Sequence, residues 1–493
     1  VSKTEPIRKP ESRAFEARIP EERKKLKGSL ENLEQRVEQS ALGAKSKAIL
    51  RKTLEHESIG HLSFGLFPCP PVVDRARGAK MWDADGKEYI DFHSGFSVNV
   101  LGHCHPEVNE AVKAQLDRLQ QFAELPCQVR AEFAAKFLGF LPWDYPKKCQ
   151  ITVTGGEAVE VAMKVSRWYT GKPIIMTQYG DYHGRTAGAM ALTSKASMLA
   201  YHYPVLPADS GIFRFHFAYC YRCPFGYSYP GCDIQCVKAV EYLFESKETW
   251  LNNPGAGITN VAAMIIEPFQ SSAGYIIAPP EYLQGLKAIC DRYGVLFVSD
   301  EVQSGMGRTG KMWAIEHSGV TPDLITAAKS LSNGLPISVC AGRREILDSW
   351  GPTAHSTTYC GYPVACAGGV KVLEIFERDK IVAGVARKGE YLAEGLRNLQ
   401  ASHPIVGHFD CQGLYAAIEL VQDRKTKAPA GQETAFVLKS CLDEGLIFIG
   451  SGYFYNRLAF APPFVISRDE IDHGLAILDR ILARAEQKFG IKA

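Results

Sequence analysis

The sequence predicts an α/β fold: a large domain on a mostly parallel sheet, followed by a smaller α+β domain. Three observations carry this. From about residue 104 to 365, short apolar runs alternate with helical patterns and glycine-rich turns; examples are Ile151-Thr152-Val153, Ile174-Ile175-Met176, Ala263-Met264-Ile265-Ile266 and Leu296-Phe297-Val298. That alternation belongs to parallel strands joined by helices. The runs Val298-Ser299-Asp300-Glu301-Val302-Gln303 and Leu324-Ile325-Thr326-Ala327-Ala328-Lys329-Ser330 each end abruptly in polar residues, as a buried strand does where its tip reaches a site. Roughly 30 residues separate them, room for a crossover connection. From about 366 the pattern changes to helix. Strands then follow around Leu414-Tyr415-Ala416-Ala417-Ile418-Glu419 and Leu446-Ile447-Phe448-Ile449, with a closing helix from about Asp469 to Arg484.

Taken in order, residues 1–45 form a charged extension with Pro6, Pro10 and Pro20 and the run Glu21-Glu22-Arg23-Lys24-Lys25-Leu26-Lys27. Leu30, Leu33 and Val37 give one apolar helical face. Residues 46–103 are read as the N-terminal part of the small domain. There Lys80-Met81-Trp82-Asp83 and Lys87-Glu88-Tyr89-Ile90-Asp91-Phe92 flank the turn Ala84-Asp85-Gly86, a hairpin signal. His103 and His105 look like a metal pair but lack further ligands nearby and read as packed loop histidines. A helix is expected from about Glu107 to Phe122. The large domain spans 104–365 and the C-terminal small domain 366–493. No internal repeat is present.

In Ile151-Thr152-Val153-Thr154-Gly155-Gly156-Glu157-Ala158, a strand turns tightly into a helix whose apolar face is Ala158, Val161, Ala162, Val165 and Trp168. Gly155 and Gly156 let the backbone approach an anion, and the helix N-terminus offers N–H groups and a positive dipole end. By itself a Gly-Gly before a helix is common.

The 493 residues carry a net charge of +2 and are 46% hydrophobic, enough for two or three core-bearing units. Near-neutrality gives no reason to expect nucleic acid or an anionic membrane as partner. No apolar run approaches the ~20 residues of a membrane span, and the N-terminus lacks an apolar signal region. A cytoplasmic protein is expected. Of the 14 cysteines, most sit singly in apolar surroundings, as do Cys290, Cys340, Cys366 and Cys441. Cys220, Cys223, Cys232 and Cys236 cluster in an insert, 219–237, rich in Tyr, Pro and Gly. Their spacing leaves a zinc tetrathiolate, a disulfide and free thiols in a rigid loop open. A structural role is the expectation, and no metal ligand is assigned.

The stretch from Glu267-Pro268-Phe269-Gln270 through Asp300-Glu301-Val302-Gln303-Ser304-Gly305-Met306-Gly307-Arg308-Thr309-Gly310 to Lys329 resembles the class III aminotransferases. So do Tyr182-His183-Gly184-Arg185-Thr186 and Thr357-Thr358-Tyr359-Cys360-Gly361-Tyr362-Pro363-Val364-Ala365. The resemblance runs from about Phe67 to about Leu482. It implies the fold-type I architecture of pyridoxal-phosphate enzymes, with a mostly parallel seven-stranded sheet, and the cofactor pyridoxal 5'-phosphate. Lys329 matches the Schiff-base lysine and Asp300 the partner of the pyridinium nitrogen. Tyr182 matches the ring that stacks on the cofactor face, with His183 behind it and Val302 on the opposite face. Gln303 matches the residue bonding the ring hydroxyl, and Glu267 opens the cofactor-site motif. Gly155 and Gly156 fall at the family's phosphate loop. Thr358 matches a threonine that reaches the phosphate across a dimer interface, so a homodimer or tetramer is expected. Substrates would be small amines and keto acids.

Substrate recognition departs from the resembled pattern. Members that use α-amino acids and 2-oxoglutarate carry an arginine three residues before the Pro-Pro of the C-terminal strand. Here that place is Ala459 in Asn456-Arg457-Leu458-Ala459-Phe460-Ala461-Pro462-Pro463. Arg457 lies two residues earlier on the same strand face and is a candidate replacement. The glutamate that pairs with that arginine is replaced by Ser272; losing both together is self-consistent, because either alone would be a buried unpaired charge. Phe409-Asp410-Cys411-Gln412-Gly413 replaces Val-Arg-Gly-x-Gly. An altered carboxylate clamp points to ω-amines, amino sugars, phosphorylated amines or differently held amino acids as donors, with pyruvate a plausible acceptor. The leading expectation is an aminotransferase. The alternative is a lyase, decarboxylase or racemase on the same scaffold. Ser271-Ser272 and Thr154-Gly155-Gly156-Glu157 look like the dialkylglycine decarboxylase branch, whereas Ser272 stands where the caprolactam-racemase branch has an acid. A catalytically silent scaffold would be expected to lack Lys329 or Asp300.

Overall fold

Seven strands form the central sheet: β1 (Lys147–Thr152), β2 (Ile174–Gln178), β3 (Ile212–Phe215), β4 (Val261–Ile266), β5 (Leu296–Asp300), β6 (Leu324–Ala327) and β7 (Ser338–Arg343). Their spatial order is β1-β7-β6-β5-β4-β2-β3. Only β7 runs against its neighbours; β6, β5, β4, β2 and β3 pair in parallel. In this computed structural model the described residues are 28–58, 67, 69–194, 211–253 and 255–492. Pro6, Pro10, Pro20 and the run 21–27 of the expected extension lie outside them.

Alternation along each strand feeds two apolar layers. Ile175, Ile265, Val298, Leu324 and Cys340 face one layer together with Val161, Ala162 and Val165 of helix α1 (Gly155–Thr170). Met176, Met264, Ile266, Phe297, Ile325 and Val339 face the other. Strands covered on both sides have no solvent face to mark with polar residues, hence the near-continuous apolar runs. Each such side chain gains roughly 1.5–3 kcal/mol from burial. Trp168, expected on the apolar face of α1, is instead 65% exposed. Its indole Nε1 donates to the Ser349 carbonyl at 2.9 Å, so it lies against the surface by its polar edge.

The C-terminal sheet is antiparallel, in the order Val406–Gln412, Tyr415–Asp423, Arg457–Phe460, Ile449–Ser451, with Ala428–Pro429 paired to Tyr415–Asp423. The run at 446–449 is split: Leu446 and Ile447 pair with Ile90 and Asp91, while Ile449–Ser451 joins the antiparallel sheet. The closing helix runs Arg468–Phe489, longer than expected, with a capping box at Ser467 and Glu470. The helix expected to reach Phe122 ends at Leu116.

The chain divides into two compact units, one of residues up to Arg75 with Met81–Glu88, the other of Ala76–Lys80 with Tyr89 onward. In the first, helices Gly28–Gln39 and Ala44–His56 bury Leu33, Val37, Leu50 and Leu54 with Cys69. Asp85, in the hairpin turn, accepts from the Lys45 and Ser46 backbone N–H groups at 3.1 and 3.0 Å. It thereby caps the second helix from 40 residues away. Among the described residues, no helix is long and apolar enough to cross a membrane.

Candidate active site

The parallel strands deliver their polar tips to one edge of the sheet, where open α/β sheets bind ligands. β5 ends in Asp300, β6 is followed by Ala328 and Lys329, β4 by Glu267, and β2 by the turn carrying Asp181, Tyr182 and His183. Register places Asp300 beside Thr326. A cavity of about 660 Å³ opens there, lined among others by Gly155, Gly156, Tyr182, His183, Asp300, Val302 and Lys329.

Lys329 has a left-handed φ of +41°. Its Nζ donates to Gln303 Oε1, and Gln303 Nε2 donates to Ser97 Oγ at 2.9 Å and Tyr275 OH at 2.7 Å. Burial lowers the amine pKa to about 8, against the opposing pull of Glu267 and Asp300. Asp300 is 2% exposed. Its Oδ2 lies 2.6 Å from His183 Nδ1, while Oδ1 accepts from Thr326 Oγ1 at 2.9 Å and the Val302 N–H at 3.1 Å. Burial pushes the His183 imidazole down, but Asp181 and Asp300 outweigh it and raise its pKa to about 10. Glu267 accepts from the Tyr182 and Ser271 N–H groups, each at 3.2 Å, and from Ser271 Oγ. Burial, then the nearby Asp181, raises its pKa to about 8.

At the other end of the cavity, α1 begins with a capping box: Thr154 Oγ1 accepts from the Glu157 N–H, and Glu157 Oε2 from the Thr154 N–H at 3.1 Å. Close approach calls for glycine at its first residue and at Gly184. A Cβ on Gly155 would lie 2.9 Å from Val302 Cγ1, and one on Gly184 (φ +138°) 2.7 Å from Gly156 Cα. The first N–H groups of a helix have no partner within it and favour an anion. One cavity thus holds an anion-binding end, an amine and a buried carboxylate, with Tyr182 and Val302 on its walls. That donor set suits pyridoxal phosphate.

Of the residues expected at the site, only Thr358 stands apart. Its side chain is exposed, it does not line the cavity, and its carbonyl accepts from Gln121 Nε2 at 2.6 Å. Gln303 and Glu267 sit directly behind the lining. The sequence did not mark Asp181, Thr326 or Tyr275 as site residues, and it marked Ser271 only as a branch feature. Asp181 was detectable only as a charged residue two places before His183, since its burial is a tertiary property.

Ala459 is buried, and Arg457, the candidate replacement, does not line the cavity. Its guanidinium is 0% exposed and bonded to Asp410 Oδ2 and to Glu419 Oε2 at 3.2 Å. Tyr219 OH and Arg222 Nε, from the cysteine-rich insert, hold Glu419 as well. Tyr221 stacks on His408 with ring centroids 4.7 Å apart. The insert therefore anchors on the antiparallel sheet. Its four cysteines line one small cavity and all are unpaired thiols. Among the described residues no three His, Cys, Asp or Glu side chains are grouped to hold a metal ion. His103 Nε2 bonds Asp91 Oδ2 at 2.7 Å, and His105 is the residue before the helix Pro106–Leu116.

The class III aminotransferase family profile matches residues 67–482. The chain is 36% identical over 411 residues to 5-aminovalerate aminotransferase DavT of Pseudomonas aeruginosa, covering 83% of this chain and 92% of that one. It is 35% identical to a leucine/methionine racemase of Thermococcus litoralis, over 85% of this chain and 92% of the relative. Among solved structures, taurine:2-oxoglutarate aminotransferase from Bifidobacterium kashiwanohense, in complex with pyridoxal phosphate and glutamate, superposes with a TM-score of 0.81 at 26% identity. That match covers 90% of this chain and 98% of that one. A match spanning both the sheet that carries Lys329 and the C-terminal sheet fixes the conclusion: the chain belongs to the class III aminotransferases, enzymes that work with pyridoxal phosphate.

Proposed function

We propose that this aminotransferase moves an amino group from a small amine or amino acid to a keto acid, with Lys329 as its covalent and proton-transferring lysine. The observation that carries the reading is the shared cavity of Lys329 and Asp300, on adjacent strand tips, facing the N-terminus of α1. Bound there, pyridoxal phosphate supplies an electron sink for charge developing at the substrate carbon. Gly155 and Gly156 would receive its phosphate, Tyr182 and Val302 its two faces, Gln303 its ring hydroxyl and Asp300 its ring nitrogen. His183 and Glu267 brace these groups from behind. A lysine whose pKa is lowered to about 8 is partly uncharged near neutrality, so Nζ can take and return a proton. Asp300, 2% exposed, is shielded from water at the bottom of the cavity that Lys329 lines.

Arg457, tied to two carboxylates, supports donors and acceptors that need no guanidinium at that strand. Pyruvate fits as acceptor, because it lacks a distal carboxylate. The exposed Thr358 supports a homodimer in which it completes a neighbour's phosphate site. The composition supports a cytoplasmic enzyme. A second reading, racemisation, is favoured by the racemase relative.

The test is a Lys329→Ala variant beside the wild type. The variant should unfold at the wild-type temperature yet transfer no amino group. Turnover at the wild-type rate would sink the assignment. Wild-type enzyme given one amine and no acceptor should stop after a single turnover until pyruvate is added. Continued loss of enantiomeric purity without an acceptor would establish the racemase instead.

A further inference from the structure

Asp181 has no part in the function as proposed, yet it is fully buried behind the site. Its Oδ1 accepts from Gln270 Nε2 at 2.8 Å and its Oδ2 from the Glu267 N–H at 3.2 Å. The same Oδ2 lies 3.5 Å from His183 Nε2. That nitrogen is also 3.1 Å from Thr177 Oγ1, while Nδ1 on the far side of the ring meets Asp300 at 2.6 Å. His183 is therefore an imidazole enclosed between two carboxylates, one of which faces the cavity.

We propose that Asp181 is a positioning residue for the reaction: with Asp300 it brackets His183, keeps that ring doubly protonated, and so fixes Asp300 as the acceptor presented to the cofactor's ring nitrogen. The inference rests on the reading of Asp300 given above. The charge argument is direct. Thr177 Oγ1 can donate or accept, so by itself it serves a neutral imidazole as well as a charged one. A carboxylate can only accept, and two of them favour the cation. The cation in turn compensates the buried charge of Asp300. Without it, the carboxylate facing the cavity would lose the donor that meets it at 2.6 Å.

The ionisable groups around His183 come from four segments: Asp181 after β2, Glu267 after β4, Asp300 on β5 and Lys329 after β6. Asp181 and Asp300 touch the ring. Glu267 lies beyond Asp181, where burial and that neighbour push its pKa up to about 8. Burial likewise raises Asp181, against the hydrogen bonds from His183 and Gln270. These groups lie close together, so changing one carboxylate should be felt by its neighbours.

The test uses the full-length holoenzyme carrying Asp181→Asn, with Asp181→Ser as a second variant should the first not fold. Three readouts are followed: the pH midpoint of the bound cofactor's visible absorbance, the cofactor dissociation constant, and kcat against KM. The expected result is a midpoint displaced by about one pH unit, a tenfold change in the underlying equilibrium. Cofactor binding should weaken and kcat should fall, with KM unchanged. In a His183→Asn background the Asp181 substitution should add nothing, because its effect passes through the imidazole. A structural role would instead lower the unfolding temperature in both backgrounds and leave the midpoint in place. An unmoved midpoint, or additive effects in the double variant, overturns the proposal. A wild type that binds no cofactor would overturn the reading of the site itself.

Discussion

At Lys329 two effects oppose each other. Removal from water disfavours the ammonium form, while Glu267 and Asp300 favour it, and burial wins. The lowered value, about 8 instead of 10.5, matters because only the neutral amine attacks a carbonyl. At pH 7 about one lysine in ten is then neutral, against fewer than about one in a thousand for an ordinary lysine. The rate at which cofactor-free enzyme captures pyridoxal phosphate should therefore rise with pH up to about 8 and flatten above it. Stopped-flow absorbance across pH 6–10 checks this; a rise continuing to pH 10 would mean that the amine is not perturbed.

Strands set the fate of Arg457. Register puts it opposite Glu419, and Asp410, where the resembled pattern has an arginine, comes from the next strand. The two departures from that pattern thus pair with each other. Asp410 illustrates the sign of the effect. Burial pushes its carboxyl up, but Arg457 overrides this and leaves it below its ordinary 3.8. Its contribution to stability is complete above that ordinary value and is lost as pH falls through the lower folded one. Replacing Arg457 by Met removes the guanidinium shared by two buried carboxylates and should cost about 3–5 kcal/mol, read as a lower denaturant midpoint. The KM for a keto acid should stay at its wild-type value, since the guanidinium is engaged by Asp410 and Glu419 and does not line the cavity. A large rise in KM would make Arg457 a clamp after all.

For the whole molecule, Thr358 is the residue whose proposed role one chain cannot fulfil. Thr358→Ala should leave the monomer's stability unchanged while weakening cofactor binding about tenfold or more. That is the scale of a lost hydrogen bond to a charged group, about 1.5–3 kcal/mol. Cofactor titration of the variant, beside light scattering of the wild type, measures both. A monomeric wild type with full cofactor affinity would exclude the role.

The mostly parallel sheet and the strand-tip positions of Asp300 and Lys329 were legible in the sequence, because apolar periodicity and abrupt polar endings are local; the count of seven strands came with the family resemblance. So was the turn at Gly155-Gly156, although the close approach of Val302 to Gly155 is a tertiary contact. The surface position of Trp168 was not, since an indole at a helical apolar spacing looks the same whether it is buried or lying on the surface. Nor were the enclosure of His183 by Asp181 and Asp300 or the pairing of Arg457 with Asp410 and Glu419. The sequence by itself determined the fold, the family and the cofactor, because periodicity and short motifs record them within a few residues. Tertiary structure alone decided which charges meet: Asp181 and Asp300 are 119 residues apart, Asp410 and Arg457 47 apart, and electrostatic energy depends on distance in space, not along the chain.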